Sequence, residues 1–281
     1  MKILRYITLI ISPLFFLACD NLDEKEYVIK IIETETETTP ITKTQNTQSI
    51  LLEDYTGWKC VNCPAAATLL NQLQLKYKQK LVVMSVHAGP FAKPQKTNNF
   101  LDLRTKYGEK WNEEFGLNNY PIGVINRLDN GTNSSKAIKK EEWDSRIENL
   151  LTSTQHLINI NLGAKLQGDK FLVSTQCIAL KDIDFKTYIS VLVLEDSIIG
   201  KQLDNDPTRP EIENYTFNHV LRSNGVIDYP LSDSILQNQT IQKNYKIDID
   251  STWNVKHCKI VVFITKANNG EVIQVNEIHI E

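Results

Sequence analysis

The hydrophobic pattern of the chain changes near Gln155, and this change limits the possible folds more than any other feature. Before that point, apolar runs such as "ILLEDY" and "LVVMSVHA" alternate with helix-period segments such as "PAAATLLNQLQLKY" and "KAIKKEEWDSRIENLLTS". After it, six runs rich in β-branched residues are separated mostly by polar or turn-like stretches. The sequence therefore predicts an α/β domain at 49–154, in the order β-α-β-(α)-β-β-α, and an all-β sandwich domain at 155–281.

The N-terminal segment "MKILRYITLIISPLFFLAC" is typical of an export signal. Lys2 and Arg5 precede an apolar run of about a dozen residues, which ends in a small residue, Ala18. A cysteine directly after that residue predicts a lipoprotein signal peptide at 1–18, with Cys19 lipidated and serving as the membrane anchor. Phe16 and Leu17 depart from the usual residues before such a cysteine, so ordinary secretion is the alternative.

The segment 19–48 has the composition of a tether. Its second half, "ETETETTPITKTQNTQ", is rich in Thr and Glu and has little apolar surface to bury, which predicts an extended or disordered chain. "EYVIKII" at 26–32 is a candidate strand within it. The formal net charge of -3 gives no basic field, so no nucleic acid partner is expected.

Two cysteines three residues apart, Cys60 and Cys63, lie between the first predicted strand and the first predicted helix. The free amides and positive dipole end of a helix favour a thiolate, which suits a redox-active pair with Cys60 as the exposed attacking thiol and Cys63 as its resolving partner. An inert disulfide and half of a zinc site are the alternatives. Zinc would need two further ligands, and His87 is interpreted as a packed core residue. No metal or other cofactor is predicted.

Two further residues are candidates for the same site. Asp54 lies six residues before Cys60 on the preceding strand, where a buried carboxylate can relay protons. Pro121 opens a later strand in "NNYPIGV", where a cis proline can hold backbone against a dithiol. The distance along the chain between Cys63 and Pro121 predicts a helical insertion at about 91–115.

This arrangement resembles the thioredoxin superfamily: a strand with Asp54, the Cys60-Val61-Asn62-Cys63 motif, a helix, and a distant Pro121. The resemblance implies that Cys60 is the nucleophile, Cys63 resolves the mixed disulfide, Asp54 relays a proton and Pro121 contacts the substrate. Lys59 stands where thioredoxins carry Trp, and Val61-Asn62 replaces the Gly-Pro of a reductant. These departures concern the redox potential and the direction of exchange.

A second resemblance covers nearly the whole mature chain. "EDYTGWKCVNCPAAA" together with "NYTFNHVLRSNG" is similar to the Bacteroidetes lipoproteins named after a twenty-eight-kilodalton outer membrane protein. That family implies an α/β thioredoxin-like domain followed by an all-β, Ig-like sandwich. It also implies a lipid-anchored outer-membrane location, facing the periplasm or the cell surface, and an adhesion role has been attached to it.

The second region contributes four candidate residues. Cys177 and Cys258 lie in predicted strands whose alternating apolar neighbours point both side chains into the core, which favours a structural disulfide across the sheets. Two buried free thiols are the alternative. His219 and Arg222 in "FNHVLR" are candidates for a ligand site or a domain interface, and the alternative is a strand that carries one exposed basic residue.

Two functional hypotheses follow. The first is a lipid-anchored thiol–disulfide oxidoreductase that acts on envelope proteins or small thiols through Cys60 and Cys63. The second is a non-enzymatic surface adhesin or accessory lipoprotein of an outer-membrane assembly, in which the cysteine pair is a structural clip. The expected partners under both are envelope or surface proteins.

Overall fold

The computed structural model describes residues 37–95, 100–132, 135–222 and 225–280. The predicted signal peptide, Cys19 and the candidate strand at 26–32 lie outside the described residues. The described residues all belong to one compact unit. Within the described ranges, none of the helices is long and apolar enough to cross a membrane.

Three helices and fourteen strands make up the described fold. The helices are α1 (Cys63–Tyr77), α2 (Lys106–Glu114) and α3 (Trp143–Ser153). The strands of the first region are β1 (Ile50–Thr56), β2 (Leu81–His87), β3 (Ile122–Ile125) and β4 (Ala137–Ile138). Those of the second are β5 (Ile158–Gln167), β6 (Lys170–Ala179), β7 (Thr187–Glu195), β8 (Ile198–Leu203), β9 (Glu211–Phe217), β10 (Val220–Leu221), β11 (Val226–Ser232), β12 (Thr240–Asp248), β13 (Cys258–Lys266) and β14 (Val272–His279).

The helical periodicity in the sequence predicts the packing faces of α1 and α3. Ala66, Leu70 and Leu73 of α1 and Trp143 and Ile147 of α3 are buried in one core, as their spacing predicts. The start of the segment predicted as the last helix is a strand instead, because Ala137 and Ile138 pair with β3 and extend the sheet. α2 forms within the expected insertion and packs in a second core.

One large mixed sheet runs through both predicted domains. Its order is β14-β13-β7-β10-β2-β1-β3-β4, and β11 also pairs with β7. The short strand β10 joins the two halves, because it is parallel to β2 and antiparallel to β7. The structure therefore has no break in the sheet at residue 155, where the sequence predicts a domain boundary.

A separate three-stranded antiparallel sheet, β12-β6-β5, completes the β-rich half. Its inward side chains share a core with those of β7 and β13, including Phe171, Tyr245, Ile189 and Ile260. The fold is thus a mixed α/β structure with a sandwich at one end. The six predicted strands of this region are present, and four more strands, β8 to β11, lie in the stretch between the third and fourth predicted runs.

Residues 37–48 also differ from the predicted tether. The Lys43 backbone bridges Leu162 on β5, and the Thr39 amide donates to Ser174 Oγ at 2.8 Å. A Cβ on Gly163 would lie 2.0 Å from the Pro40 carbonyl oxygen, so this segment packs directly on the strand. The segment is held in place because β5 is the edge strand of its sheet. The free backbone groups of such a strand can form hydrogen bonds with this segment.

Candidate functional site

The cysteine motif occupies the connection between β1 and α1. The amide of Cys60 donates to the Gly57 carbonyl at 2.9 Å, and Cys63 is the first residue of the helix. A Cβ on Gly57 would lie 2.5 Å from the Phe91 carbonyl carbon, so this turn requires glycine. Cys60 and Cys63 form a disulfide with an Sγ–Sγ distance of 2.07 Å.

A hairpin from the second region covers this motif. The β8–β9 hairpin donates from Gln202 Nε2 to the Cys60 carbonyl at 3.0 Å. Its backbone amides at Leu203 and Asn205 donate to the carbonyls of Trp58 and Val61 at 2.8 and 3.0 Å. Cys60 is therefore only 3% exposed, which differs from the exposed thiol that the sequence predicts.

Asp54 lies on β1 and is buried, and its Oδ1 has no hydrogen-bond partner among the described residues. Burial without a compensating positive charge disfavours the carboxylate and raises the pKa of Asp54 from 3.8 to about 7. The predicted proton relay is thus a buried carboxyl group that titrates near neutral pH. Its role in proton transfer stays a prediction.

A cavity of about 430 Å³ joins Asp54 to Cys63. It is also lined by His87, Gln202 and Tyr215. Neither ring nitrogen of His87 has a partner among the described residues, and burial followed by the nearby Arg222 charge lowers its pKa to about 3. Burial, and then the proximity of Asp54, raises the pKa of Tyr215 to about 12. At neutral pH the cavity wall therefore presents a neutral imidazole and a neutral phenol beside an Asp54 carboxyl group that is partly ionised.

The peptide bond between Tyr120 and Pro121 is cis. Pro121 directly precedes β3, and the next residue, Ile122, is paired with Tyr55 near the end of β1. The order of these strands therefore places the proline at the end of the sheet from which the cysteine motif emerges. Contact between Pro121 and a substrate stays a prediction.

The predicted disulfide between Cys177 and Cys258 is not formed, and both are buried free thiols. Cys177 lies in β6 of the small sheet, between Ile160 and Ile241 on the neighbouring strands. Cys258 opens β13 of the large sheet, and its thiol donates to the Asn254 carbonyl at 3.4 Å. Both side chains point into the core, as predicted, but each is a free thiol that packs there as a small apolar residue.

His219 and Arg222 lie where β10 joins the two halves of the sheet. The His219 carbonyl accepts a hydrogen bond from the Ser85 amide at 2.8 Å. Nδ1 of the His219 ring lies 2.7 Å from Nζ of the buried Lys259. Burial and that ammonium lower the pKa of His219 to about 4. Arg222 pairs with Glu195 at 3.3 Å. Both side chains therefore have partners within the chain, and His219 also lines the cavity beside Cys63.

Sequence reasoning missed the hairpin, Gln202 and Tyr215. Gln202 is 142 residues from the cysteine whose carbonyl it contacts, and no local pattern predicts such a pairing. The one available signal was the alternation in "EIENYTF", which is strand-like. Among the described residues, no group of three His, Cys, Asp or Glu side chains is arranged to hold a metal ion.

The fold is similar to two solved bacterial structures. HBP35 of Porphyromonas gingivalis aligns with a TM-score of 0.62 at 17% identity, over 85% of this chain and 77% of that chain. A protein of Agrobacterium tumefaciens aligns with a TM-score of 0.50 at 14% identity, over 83% of this chain and 95% of that chain. At these identities the similarity establishes a thioredoxin-like fold, as the sequence predicts, and nothing about activity.

The family relationship comes from sequence. No curated protein sequence matches the chain. A domain of the outer membrane lipoprotein Omp28 from Porphyromonas gingivalis is 22% identical over 46% of this chain and 94% of that domain, with a TM-score of only 0.30. The model of the family described as outer membrane protein Omp28 matches residues 109–281, which is more than half of the chain. The chain therefore belongs to the Omp28 family of outer membrane proteins.

Proposed function

We propose that this protein catalyses thiol–disulfide exchange in the cell envelope through Cys60 and Cys63. The observation that carries the proposal is the Cys60–Cys63 disulfide at the start of α1, with the buried, unpartnered carboxyl group of Asp54 lining a cavity that reaches Cys63. A structural clip at a helix start has no need of a carboxyl group buried at a cost in free energy.

The roles of the residues follow from exchange chemistry. In the reduced protein, the Cys60 thiolate attacks a substrate disulfide, which breaks and releases one substrate thiolate. Cys63 then attacks the Cys60 sulfur, releases the second substrate thiol and restores the protein disulfide. Ionised Asp54 accepts the proton from Cys63 during this step, and its pKa of about 7 suits it to that task. Protein substrates would have to displace the β8–β9 hairpin from the motif.

A redox titration of the mature protein tests this proposal. We expect the Cys60–Cys63 couple to have a reduction potential above about -300 mV, because structural disulfides of exported proteins typically lie below that value. The measurement is thiol labelling and intact mass after equilibration in redox buffers. The buried thiols of Cys177 and Cys258 provide an internal count of labels that stays constant. A potential far below this range would mean that the pair is a clip.

The second candidate function is non-enzymatic binding, as an adhesin or as an accessory lipoprotein. The observation that favours it is the hairpin, whose hydrogen bonds leave both sulfur-bearing residues at least 96% buried. In this case Cys60 and Cys63 fix the helix start and the surface of the β-rich half binds envelope or surface proteins. A low reduction potential combined with unchanged partner binding in a Cys60→Ala/Cys63→Ala variant would select this function.

Anchoring through Cys19 completes the proposal. It is supported by the export signal in the sequence and by membership of a family named for the outer membrane. We expect a Cys19→Ala variant to leave the membrane fraction, since a protein without its acyl chains loses the apolar contacts that hold it there. Fractionation with a Ser12→Ala control, which keeps the signal intact, is the measurement. Retention of the Cys19→Ala protein in the membrane would contradict lipid anchoring.

The raised pKa of Asp54 predicts a pH-dependent stability difference. Between pH 3.8 and about 7 the unfolded chain loses this proton and the folded protein keeps it, so the stability contributed by Asp54 falls as the pH rises. Asp54→Asn removes this effect, and we expect the variant to be more stable than the wild type at pH 8 by about 4 kcal/mol. The difference should vanish near pH 4.

Urea unfolding of the oxidised proteins at both pH values measures this difference. Asp144→Asn is the control, because Asp144 is an exposed carboxylate paired with Lys76, and its loss should not stabilise the protein. An Asp54→Asn effect that is equal at the two pH values would contradict the assignment.

A further inference from the structure

The β8–β9 hairpin over the cysteine motif leaves little room for a polypeptide substrate. Carbonyl groups that an extended substrate strand could use are already taken, because the hairpin donates to Trp58, Cys60 and Val61. The hairpin is also packed, since Phe217 lies in a core with Trp58, and Leu203 contacts that core. Any route to the sulfur atoms that leaves the fold intact must therefore pass beside the hairpin.

The cavity that reaches Cys63 is such a route. Its volume of about 430 Å³ lies within the roughly 300–1,000 Å³ typical of small-molecule sites. The hairpin lines the cavity through Gln202 and Tyr215, and α1 lines it through Ala67 and Asn71. Cys63 lines this space and Cys60 does not, so the cavity provides access to one member of the pair.

Groups in the cavity wall lack hydrogen-bond partners. Asp54 Oδ1 and both ring nitrogens of His87 are unpartnered among the described residues, and both side chains are at least nine-tenths buried. A neutral imidazole offers one donor and one acceptor, and a carboxyl group offers an acceptor. Because buried polar groups are nearly always paired in native proteins, their arrangement suits a small ligand that carries both donors and acceptors.

We propose that this cavity binds a low-molecular-weight thiol with polar substituents, of about the size of cysteine, which reduces the disulfide by attacking Cys63. The proposal rests on the proposed function and names the co-substrate of the same pair. It separates two routes. Protein substrates exchange at Cys60 after the hairpin moves, and the small thiol reduces the Cys60–Cys63 disulfide from the cavity.

The reaction balances as two successive exchanges. The bound thiol gives its proton to ionised Asp54, and its sulfur attacks Cys63 Sγ, which breaks the bond to Cys60 and releases the Cys60 thiolate. A second thiol molecule attacks the ligand sulfur of the mixed disulfide, which leaves Cys63 reduced and forms the small disulfide. Two thiols are oxidised and one protein disulfide is reduced.

Filling the cavity tests the proposal. Oxidised mature protein is mixed with L-cysteine, quenched with acid, and the new thiols are counted by alkylation and intact mass. We expect Ala67→Phe, which places a ring in the wall, to slow reduction by at least about tenfold. Ala65→Phe is the matched control, because Ala65 is an exposed residue of the same helix and does not line the cavity. Asn71→Trp blocks the same space if Ala67→Phe fails to fold.

A second measurement locates the attack. In a Cys60→Ser variant the free Cys63 thiol should react with L-cystine, and peptide mass spectrometry should find the cysteinyl group on Cys63. Equal rates in Ala67→Phe and Ala65→Phe, or modification that avoids Cys63, would overturn the cavity route. That failure is distinct from failure of the proposed function, which would appear as a reduction potential too low for any thiol to reduce the pair.

Discussion

Replacing Cys63 with Ser should convert the protein into a trap for its protein substrates. The Cys60 thiol can still attack a substrate disulfide, but no second thiol remains to resolve the mixed disulfide. We therefore expect covalent complexes, linked through Cys60 and dissociated by reductant, to accumulate in cells that express Cys63→Ser. Non-reducing electrophoresis followed by mass spectrometry identifies the partners. Exchange activity in vitro should fall by about a thousandfold or more, because the residues act as a unit.

Controls separate this result from non-specific thiol chemistry. Cys60→Ser/Cys63→Ser should form no complexes. Cys177→Ala should keep full exchange activity, because the Cys177 thiol is buried in the sandwich core and burial raises its pKa to about 12. If Cys63→Ser captures nothing under redox cycling, exchange at Cys60 on envelope proteins is ruled out and the binding function becomes the better explanation.

Removing Arg127 should strongly destabilise the protein, although it lies outside the candidate site. Arg127 lies just after β3 and forms a bidentate ion pair with Glu53 on β1. Its Nη2 lies 2.9 Å from Oε1 of Glu53, and its Nε lies 3.0 Å from Oε2. The Glu53 side chain is completely buried and that of Arg127 is 5% exposed. Arg127→Met leaves the carboxylate buried without its partner, which costs about 3–5 kcal/mol.

Packing adds to the electrostatic loss. The Arg127 guanidinium lies 4.3 Å from the centre of the Trp111 ring and 5.0 Å from that of Phe263 on β13. It therefore contacts α2 and both halves of the large sheet, where cation–π contacts are strengthened by desolvation.

Urea unfolding of the oxidised protein measures this loss. The double variant Glu53→Leu/Arg127→Met should recover most of the stability, because it leaves no unpaired charge. Lys76→Met is the control, since its exposed pair with Asp144 should contribute little to stability. A loss for Arg127→Met that is no larger than the control, or no recovery in the double variant, would show that the buried charge is not the cause.

Much of the fold follows from local periodicity. The apolar spacing of Ala66, Leu70 and Leu73 defines the buried face of α1, and the run "LVVMSVHA" predicts the fully buried β2. The same local signals place Cys60 and Cys63 at a strand–helix junction and support the family relationship. In contrast, β8 to β11 were missed because polar residues interrupt the apolar pattern of β8, β9 and β11, and β10 has only two residues, which pair with β2 and β7.

The predictions about individual cysteines show the limits of pattern analysis. Alternation correctly indicated that Cys177 and Cys258 point into a core, but it could not show whether the two thiols form a disulfide there. For Cys60, its position at a strand–helix junction predicted an exposed thiol. In the structure the β8–β9 hairpin from the second half of the chain buries this residue.

The sequence by itself determined most of the helices and strands, where the cysteine motif lies, and to which family the chain belongs. These properties depend on residues within one or two turns of each other, or on the identity of a motif. The tertiary structure alone decided the burial of Cys60, the cavity beside Cys63, the raised pKa of Asp54 and the pairing of Glu53 with Arg127. Each of these depends on desolvation by residues far apart in sequence, and burial of this kind exists only once the two halves of the sheet have joined.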